Sequence, residues 1–208
     1  MKIIPIKAVG GCSKTSKMPC MSYGLPTAEC ITGSKLAKKE GTVCSKCYAN
    51  KGHYAMFRKN IQPIQYRRFE AMKRGDWVEN MVKVLDNERW FRWFDSGDLP
   101  STLMLSKIVD VARQTPWCNH WLATRERRFI HDWLKNHPEG FPDNLSIRIS
   151  ATYPDVPAKP VHGCGVGNVH SKKRPSGYEC PAPSQGGKCD TCRACWDKSV
   201  PAVSYKEH

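Results

Sequence analysis

Hydrophobic positions are spread unevenly along the chain, and the clearest patterning lies between residues 76 and 150. Trp77, Met81, Val84 and Leu85 fall at i, i+4, i+7 and i+8, one stripe of a helix that begins near Asp76. The run Trp90-Phe91-Arg92-Trp93-Phe94 is too aromatic and too short for a surface helix and predicts a buried strand, ended by Asp95-Ser96-Gly97-Asp98. Ser101 is placed to cap a following helix in which Leu105, Ile108, Val109 and Ala112 share a face until Pro116 stops it. Trp121-Leu122-Ala123-Thr124 predicts the next strand. Phe129, Ile130, Trp133 and Leu134 predict a short helix that ends before Pro138, and residues 145 to 150 alternate as a strand does.

Strand, helix, strand, helix, strand is the pattern of successive βαβ units around a parallel sheet. The predicted class is α/β, with four to six strands forming a small or incomplete (β/α) barrel-like parallel sheet. Upstream, a helix is expected from Tyr54 to Arg74, kinked or split at Pro63. Residues 1 to 53 predict one short strand around Ile3, Ile4 and Ile6 and then irregular loop. After Pro154 the composition turns to Pro, Gly, Lys and Cys and predicts a loop-rich tail without a helix. The expected organisation is one domain over residues 1–208, divided into a cysteine-rich segment 1–53, an α/β core 54–152 and a cysteine-rich basic segment 153–208.

The 208 residues suffice for one real core. No window approaches the roughly 18 uninterrupted apolar residues of a membrane span, and the start lacks the apolar region of an export signal. The expectation is a soluble cytoplasmic protein with no membrane partner, in the host cytoplasm if phage-encoded, with the oligomeric state left open. The formal charge of +14 points towards anionic partners, nucleic acid among them. The basic residues are scattered, however (Lys35, Lys38, Lys39; Arg67, Arg68; Arg125, Arg127, Arg128; Lys172, Lys173, Arg174), and solvated lysines are the plain alternative.

Eleven cysteines change the picture. Structural disulfides are discouraged in a reducing cytosol, so metal binding or redox chemistry is the usual explanation for such a load. An odd count excludes complete pairing, and Cys12, Cys20, Cys118 and Cys164 read as packed free thiols. The strongest signal is Cys189-Asp-Thr-Cys192-Arg-Ala-Cys195-Trp196 with Cys180 nine residues upstream. A C-x2-C-x2-C run is the arrangement that ferredoxins use for a [4Fe-4S] cluster, whereas zinc sites more often use two separated C-x2-C pairs. The second signal is Cys44-Ser-Lys-Cys47 with Cys30 fourteen residues before it. Three thiolates on a four-iron cluster leave one iron open, as a catalytic centre requires. One shared cluster or two separate ones fit these seven cysteines equally, and a non-catalytic zinc module that contacts nucleic acid is the rival reading.

The chain resembles the phage proteins labelled gene product eighty-eight over nearly its whole length. The residues that carry the resemblance are Ser22-Tyr23-Gly24-Leu25-Pro26, Cys30-Ile31-Thr32-Gly33, Cys44 to Ala49, Phe91 to Asp98, Thr124-Arg125-Glu126, Cys180-Pro181-Ala182 and Cys189 to Trp196. More distantly, the layout is similar to that of radical S-adenosylmethionine enzymes, which hold a cluster on three N-terminal cysteines and bind the cofactor's amino group at a Gly-Gly-Glu-Pro segment. Gly97-Asp98-Leu99-Pro100 stands where that segment would be, although C-x3-C-x2-C is stretched here to C-x13-C-x2-C and Lys46 replaces an aromatic residue before Cys47. The resemblance implies Cys30, Cys44 and Cys47 around a catalytic cluster. It also implies Ser96, Gly97 and Asp98 at S-adenosylmethionine, and Asp95, Asp98 and Arg125 around the substrate. Cys180, Cys189, Cys192 and Cys195 would hold a second, structural or electron-relay centre.

The same residues have plainer readings. Asp95 and Asp98 suit a turn in which Asp98 helps to cap the next helix, and Arg125 suits an ion pair with either of them. His53 could complete a three-cysteine site, although surface histidines are commoner, and His162 and His170 are weaker candidates. Trp90, Trp93, Trp121 and Trp133 read as core.

Overall fold

The computed structural model describes residues 4–207. Its sheet has eight strands: β1 (Ser13–Lys14), β2 (Met21–Tyr23), β3 (Trp90–Trp93), β4 (Asn119–Thr124), β5 (Leu145–Ser150), β6 (Gly165–His170), β7 (Tyr178–Glu179) and β8 (Ala202–Lys206). Their order is β1-β2-β3-β4-β5-β6-β8-β7, and every pairing is parallel except β1 with β2. Among the described residues the edge strands β1 and β7 do not meet, so the sheet is open rather than a closed barrel.

The helices are α1 (Pro5–Ala8), α2 (Ile31–Ala37), α3 (Gly52–Met56), α4 (Arg58–Ala71), α5 (Trp77–Val84), α6 (Thr102–Gln114) and α7 (Arg127–Leu134). α6 and α7 connect β3 to β4 and β4 to β5, as the alternating pattern predicts. Ser101 caps α6 by accepting from Met104 N at 3.1 Å. Helix and strand residues meet in one apolar layer. Trp77, Met81 and Leu85 from α5, Leu105, Ile108 and Ala112 from α6, and Ile130 and Trp133 from α7 bury against Phe91, Trp93, Leu122, Ile147 and Ile149.

The ends of the chain differ from expectation. Ile4 and Ile6 belong to the entry and body of α1 rather than to a strand, because Pro5 stands at the first helical position, where its missing N–H costs no bond; Ile3 lies outside the described residues. The break between α3 and α4 falls at Phe57, not Pro63, which sits inside α4 and removes a single ladder bond. The tail contains no α-helix among its described residues but supplies β6, β7 and β8, half of the parallel strands beyond β4 having been read as loop. Arg68, counted as a surface cation, is buried and binds the carbonyls of Gly11 and Gly24 and Ser13 Oγ.

The sheet's second face carries residues of opposite parity: Trp90 and Arg92 on β3, Trp121 and Ala123 on β4, Ser146 and Arg148 on β5, Val203 and Tyr205 on β8. The cysteine-rich tail covers it, and Cys20, Trp121, Cys195, Trp196 and Val203 form a second apolar cluster there. Trp196 Nε1 donates to Phe91 O at 2.9 Å. The Arg148 guanidinium donates to four carbonyls of the tail, those of Ala194, Cys195, Asp197 and Val200, at 2.6 to 2.9 Å. Gly165, opposite Arg148 in the register, makes room for it, since a Cβ there would come within 2.8 Å of Nη1.

Candidate functional site

The C-terminal ends of β2, β3, β4 and β5 and the loops that follow them form one edge, the edge at which parallel α/β sheets place their ligands. Phe94 enters the β3 loop with φ of +56°, an uncommon conformation for a bulky residue, and is held there by its N–H to Tyr23 O. This turn throws Asp95, Ser96 and Asp98 inward, and all three are buried.

Asp98 is engaged on both oxygens. Oδ1 accepts from Leu99 N (2.7 Å) and Thr124 Oγ1 (2.6 Å), and Oδ2 accepts from Arg125 N (3.0 Å). It therefore ties the β3 loop to the β4 loop, while Ser101 does the capping. Burial raises its pKa against the opposing pull of these bonds and of the Arg125 charge. Ser96 Oγ donates to Leu25 O and accepts from Gln65 Nε2. Gly97, at φ +74°, packs so closely on Leu25 that a Cβ would approach the Leu25 carbonyl oxygen to 2.8 Å. These three residues serve the loop itself and offer no free donor or acceptor set for the amino group of S-adenosylmethionine. Asp95 differs: Oδ2 accepts from Tyr54 Oη at 2.6 Å, its carbonyl accepts from Tyr48 Oη, and Oδ1 is buried without a partner.

Cys30, Cys44 and Cys47 come together beside this edge. Cys30 precedes α2, Cys44 lies in a 3-10 turn over Val43–Lys46, and Cys47 ends that turn. The turn is fixed by Thr42, which accepts from Ser45 N, and by Val43 N donating to Thr152 O after β5. Gly33 leaves the space between the thiols open: a Cβ there would lie 3.6 Å from Cys30 Sγ and 3.8 Å from Cys44 Sγ. Burial, and next the Asp98 charge, push the Cys30 thiol up to about 12, with Cys47 and Cys44 adding to the shift and Arg125 opposing it. Burial likewise raises Cys44, and Arg125 is the largest opposing influence. The Arg125 guanidinium thus faces the thiols. Nη2 reaches Ala151 O at 3.2 Å and Nε is buried without a partner, so the expected ion pair with Asp95 or Asp98 is replaced by a backbone bond to Asp98.

Cys180, Cys189, Cys192 and Cys195 form a separate group on the second face of the sheet. Cys180 N bonds Ser204 O, Cys189 N bonds Lys17 O, and Cys192 N closes a turn on Cys189 O. Burial and then Cys180 raise Cys189, and burial pushes Cys195 up to about 12, against Tyr205, Arg148 and Arg92. Tyr205 Oη lies 3.2 Å from Cys195 Sγ and Tyr178 Oη lies 3.6 Å from Cys192 Sγ. The structure therefore gathers the seven cysteines into two groups rather than one.

All eleven cysteines are free thiols. Among the described residues no three Cys, His, Asp or Glu side chains are gathered as for a single metal ion. A tetrahedral zinc site needs its sulfurs about 2.3 Å from one centre; a four-iron cluster gives each thiolate its own iron and suits a wider ring. Donor type, the opening at Gly33 and the facing Arg125 fit a cluster.

Some residues escaped the sequence pattern. Cys20, read as mere packing, is buried beside Cys195 and its thiol senses Cys189. Glu126 accepts from Thr32 N (2.7 Å) and Thr32 Oγ1 (2.9 Å) and so fastens the cysteine segment to β4. Arg148 carried no signal, since an alternating strand pattern places it on the solvent side. His162 is exposed, His170 is spent on Ser204 Oγ and Glu179, and the side chain of His53 lies outside the described residues. Trp93 and Trp133 are core as expected, whereas Trp90 and Trp121 pack on Trp196 in the second cluster.

A family model described as Gene product 88 matches residues 5–198. No curated protein and no solved structure matches the chain at a significant level. Among the described residues no helix is long and apolar enough to cross a membrane.

Proposed function

We propose that this chain, which belongs to the Gene product 88 family, is an iron-sulfur protein with two [4Fe-4S] clusters, one on Cys30, Cys44 and Cys47 and one on Cys180, Cys189, Cys192 and Cys195. The observation that carries this reading is that each group of free thiols is faced by an arginine without a carboxylate partner. Arg125 acts on Cys30 and Cys44 with its Nε unpartnered, and buried Arg148 acts on Cys195 while its guanidinium meets only neutral carbonyls. A buried cation is costly unless a negative charge stands near it, and a cluster on thiolates supplies that charge.

Three thiolates leave one iron without a protein ligand, so the N-terminal group is the reactive centre of this reading and the fully ligated C-terminal group its structural or relay centre. The residues nearest to reactive chemistry are Asp95, whose Oδ1 is free to accept, and Arg125, whose Nε is free to donate. S-adenosylmethionine is not drawn into the reading, because Ser96, Gly97 and Asp98 are committed to the loop. The charge of +14 makes an anionic partner the expected class, nucleic acid included, and the free thiols suit a reducing cytoplasm.

Anaerobic purification tests the reading. The expected product is brown, absorbs near 400 nm, bleaches with dithionite and carries about eight iron and eight sulfide per chain. A colourless protein with stoichiometric zinc would sink it in favour of the zinc module.

A further inference from the structure

One side chain lies between the two cysteine groups. Arg92 projects from β3 onto the second face of the sheet, opposite Ser22 and Trp121 in the register. Its Nη2 lies 3.3 Å from Tyr48 Oη, and Tyr48 directly follows Cys47. Its Nη1 lies 3.3 Å from Met18 Sδ, and Met18 packs in the cluster that contains Cys20, Cys180 and Cys195. The guanidinium stacks over Trp121 with Cζ 4.3 Å from the ring centroid, and Trp121 packs on Trp196, the residue after Cys195. Nε is buried with no partner, and among the described residues no ion pair includes Arg92. Its charge favours the thiolate forms of Cys20, Cys189 and Cys195 on one side and acts on Tyr48 and Asp95 on the other.

A half-buried guanidinium held by a phenol, a thioether and an indole face, all neutral, has no fixed anion to balance it. We propose that Arg92 is the shared counter-cation of the two clusters, so that its single charge sets the reduction potential of both and makes the state of each depend on the other. The inference rests on the two-cluster reading above. A cluster gains negative charge on reduction, and a nearby cation stabilises the reduced form more than the oxidised one. Removing the cation therefore lowers the potential. Because both clusters draw on one charge, reduction of the first weakens its hold on the second.

The test is an EPR-monitored potentiometric titration of the full chain, purified anaerobically, as wild type, Arg92→Gln and Arg92→Lys. Arg92→Gln is expected to keep its iron and to lower both midpoints, with an about tenfold smaller reduced fraction at fixed potential for the C-terminal centre, about 59 mV for a one-electron couple. Arg92→Lys, which keeps the charge, is expected to stay close to wild type. Iron retained with both midpoints unmoved, or with only one moved, overturns the role of Arg92 and leaves the two clusters standing. Wild-type protein without iron and sulfide overturns the underlying reading instead. Should Arg92→Gln fail to fold, Tyr48→Phe cuts one arm while the charge remains; it is expected to lower the N-terminal midpoint alone, and no shift there overturns the proposal.

Discussion

The sheet's two faces bury their residues by different means. Beneath α5, α6 and α7 the layer is almost wholly apolar, and its few polar groups find partners nearby: Tyr23 Oη bonds Val9 O and receives Trp77 Nε1 at 3.2 Å. On the opposite face the covering layer is a tail with little regular structure, anchored by Arg148 through four carbonyls and by Trp196 through one. The first face is stabilised by area removed from water. The second orders its chain around a buried cation and four thiols, groups that are favourable inside a protein only when charge and hydrogen bonding are satisfied. The contrast indicates that the helix-covered half can stand without a ligand, while the tail depends on what its side chains bind.

Replacing Arg148 breaks this contrast most directly. Arg148→Met fills similar volume but leaves the carbonyls of Ala194, Cys195, Asp197 and Val200 without their donor, and the expected cost is about 3–5 kcal/mol, the range for breaking a buried charged network. Urea denaturation measures the loss, and the C-terminal centre is expected to lose its iron. Leu105→Ala, on the helix-covered face, should cost a comparable 2–5 kcal/mol yet leave iron per folded chain unchanged. Equal iron loss in the two variants would show that the faces are not separable.

His120 sharpens the comparison from the apolar side. Its ring is fully buried, stacked on Trp93 at an interplanar angle of 13°, and burial pushes its pKa down to about 3. Thr115 Oγ1 donates to Val111 O, so His120 Nε2 carries the proton shared with that hydroxyl, and Nδ1 is left bare without a partner. The folded chain therefore resists protonation between pH 6.5 and 3 while the unfolded chain accepts it, and stability falls as pH drops through that window. His120→Phe is expected to remove up to about 1.4 kcal/mol of this loss per pH unit, roughly 2 kcal/mol between pH 6.5 and 5. Denaturant midpoints for both proteins at the two pH values check this, and parallel slopes would exclude His120 as the origin.

What was legible in the sequence follows the same division. β3, β4 and β5 announce themselves because each is followed by an amphipathic helix or a turn, so that periodicity changes at every boundary. β6 does not, since Gly165 and Gly167 interrupt its apolar pattern; Gly165 is required by Arg148 on the neighbouring strand, a demand that no local pattern expresses. β2 is only three residues long. The seven candidate ligands were visible because C-x2-C spacing is a local constraint, and their division into two groups was not, because it depends on which face of the sheet each segment crosses. Asp98 was visible as an acid at a strand end, yet its engagement with Thr124 depends on a residue 26 positions away.

The smallest expected effect belongs to Glu126, which joins the cysteine segment to the helix-covered framework. Its carboxylate takes both the N–H and the hydroxyl of Thr32 at the start of α2. Glu126→Gln keeps one acceptor for Thr32 N and replaces the other by an amide that cannot accept from the hydroxyl, so one charge-assisted bond becomes a neutral one and the other must reverse its donor. The expected cost to global stability is about 1 kcal/mol. Its local effect is more telling. With the N-terminal thiols less firmly held, a chelator should strip their centre faster than in wild type, while the C-terminal centre, anchored by Arg148 on the other face, should lose iron at an unchanged rate. Time-resolved bleaching with EPR detection separates the two centres, and a common acceleration at both would mean that Glu126 stabilises the fold as a whole rather than the N-terminal group.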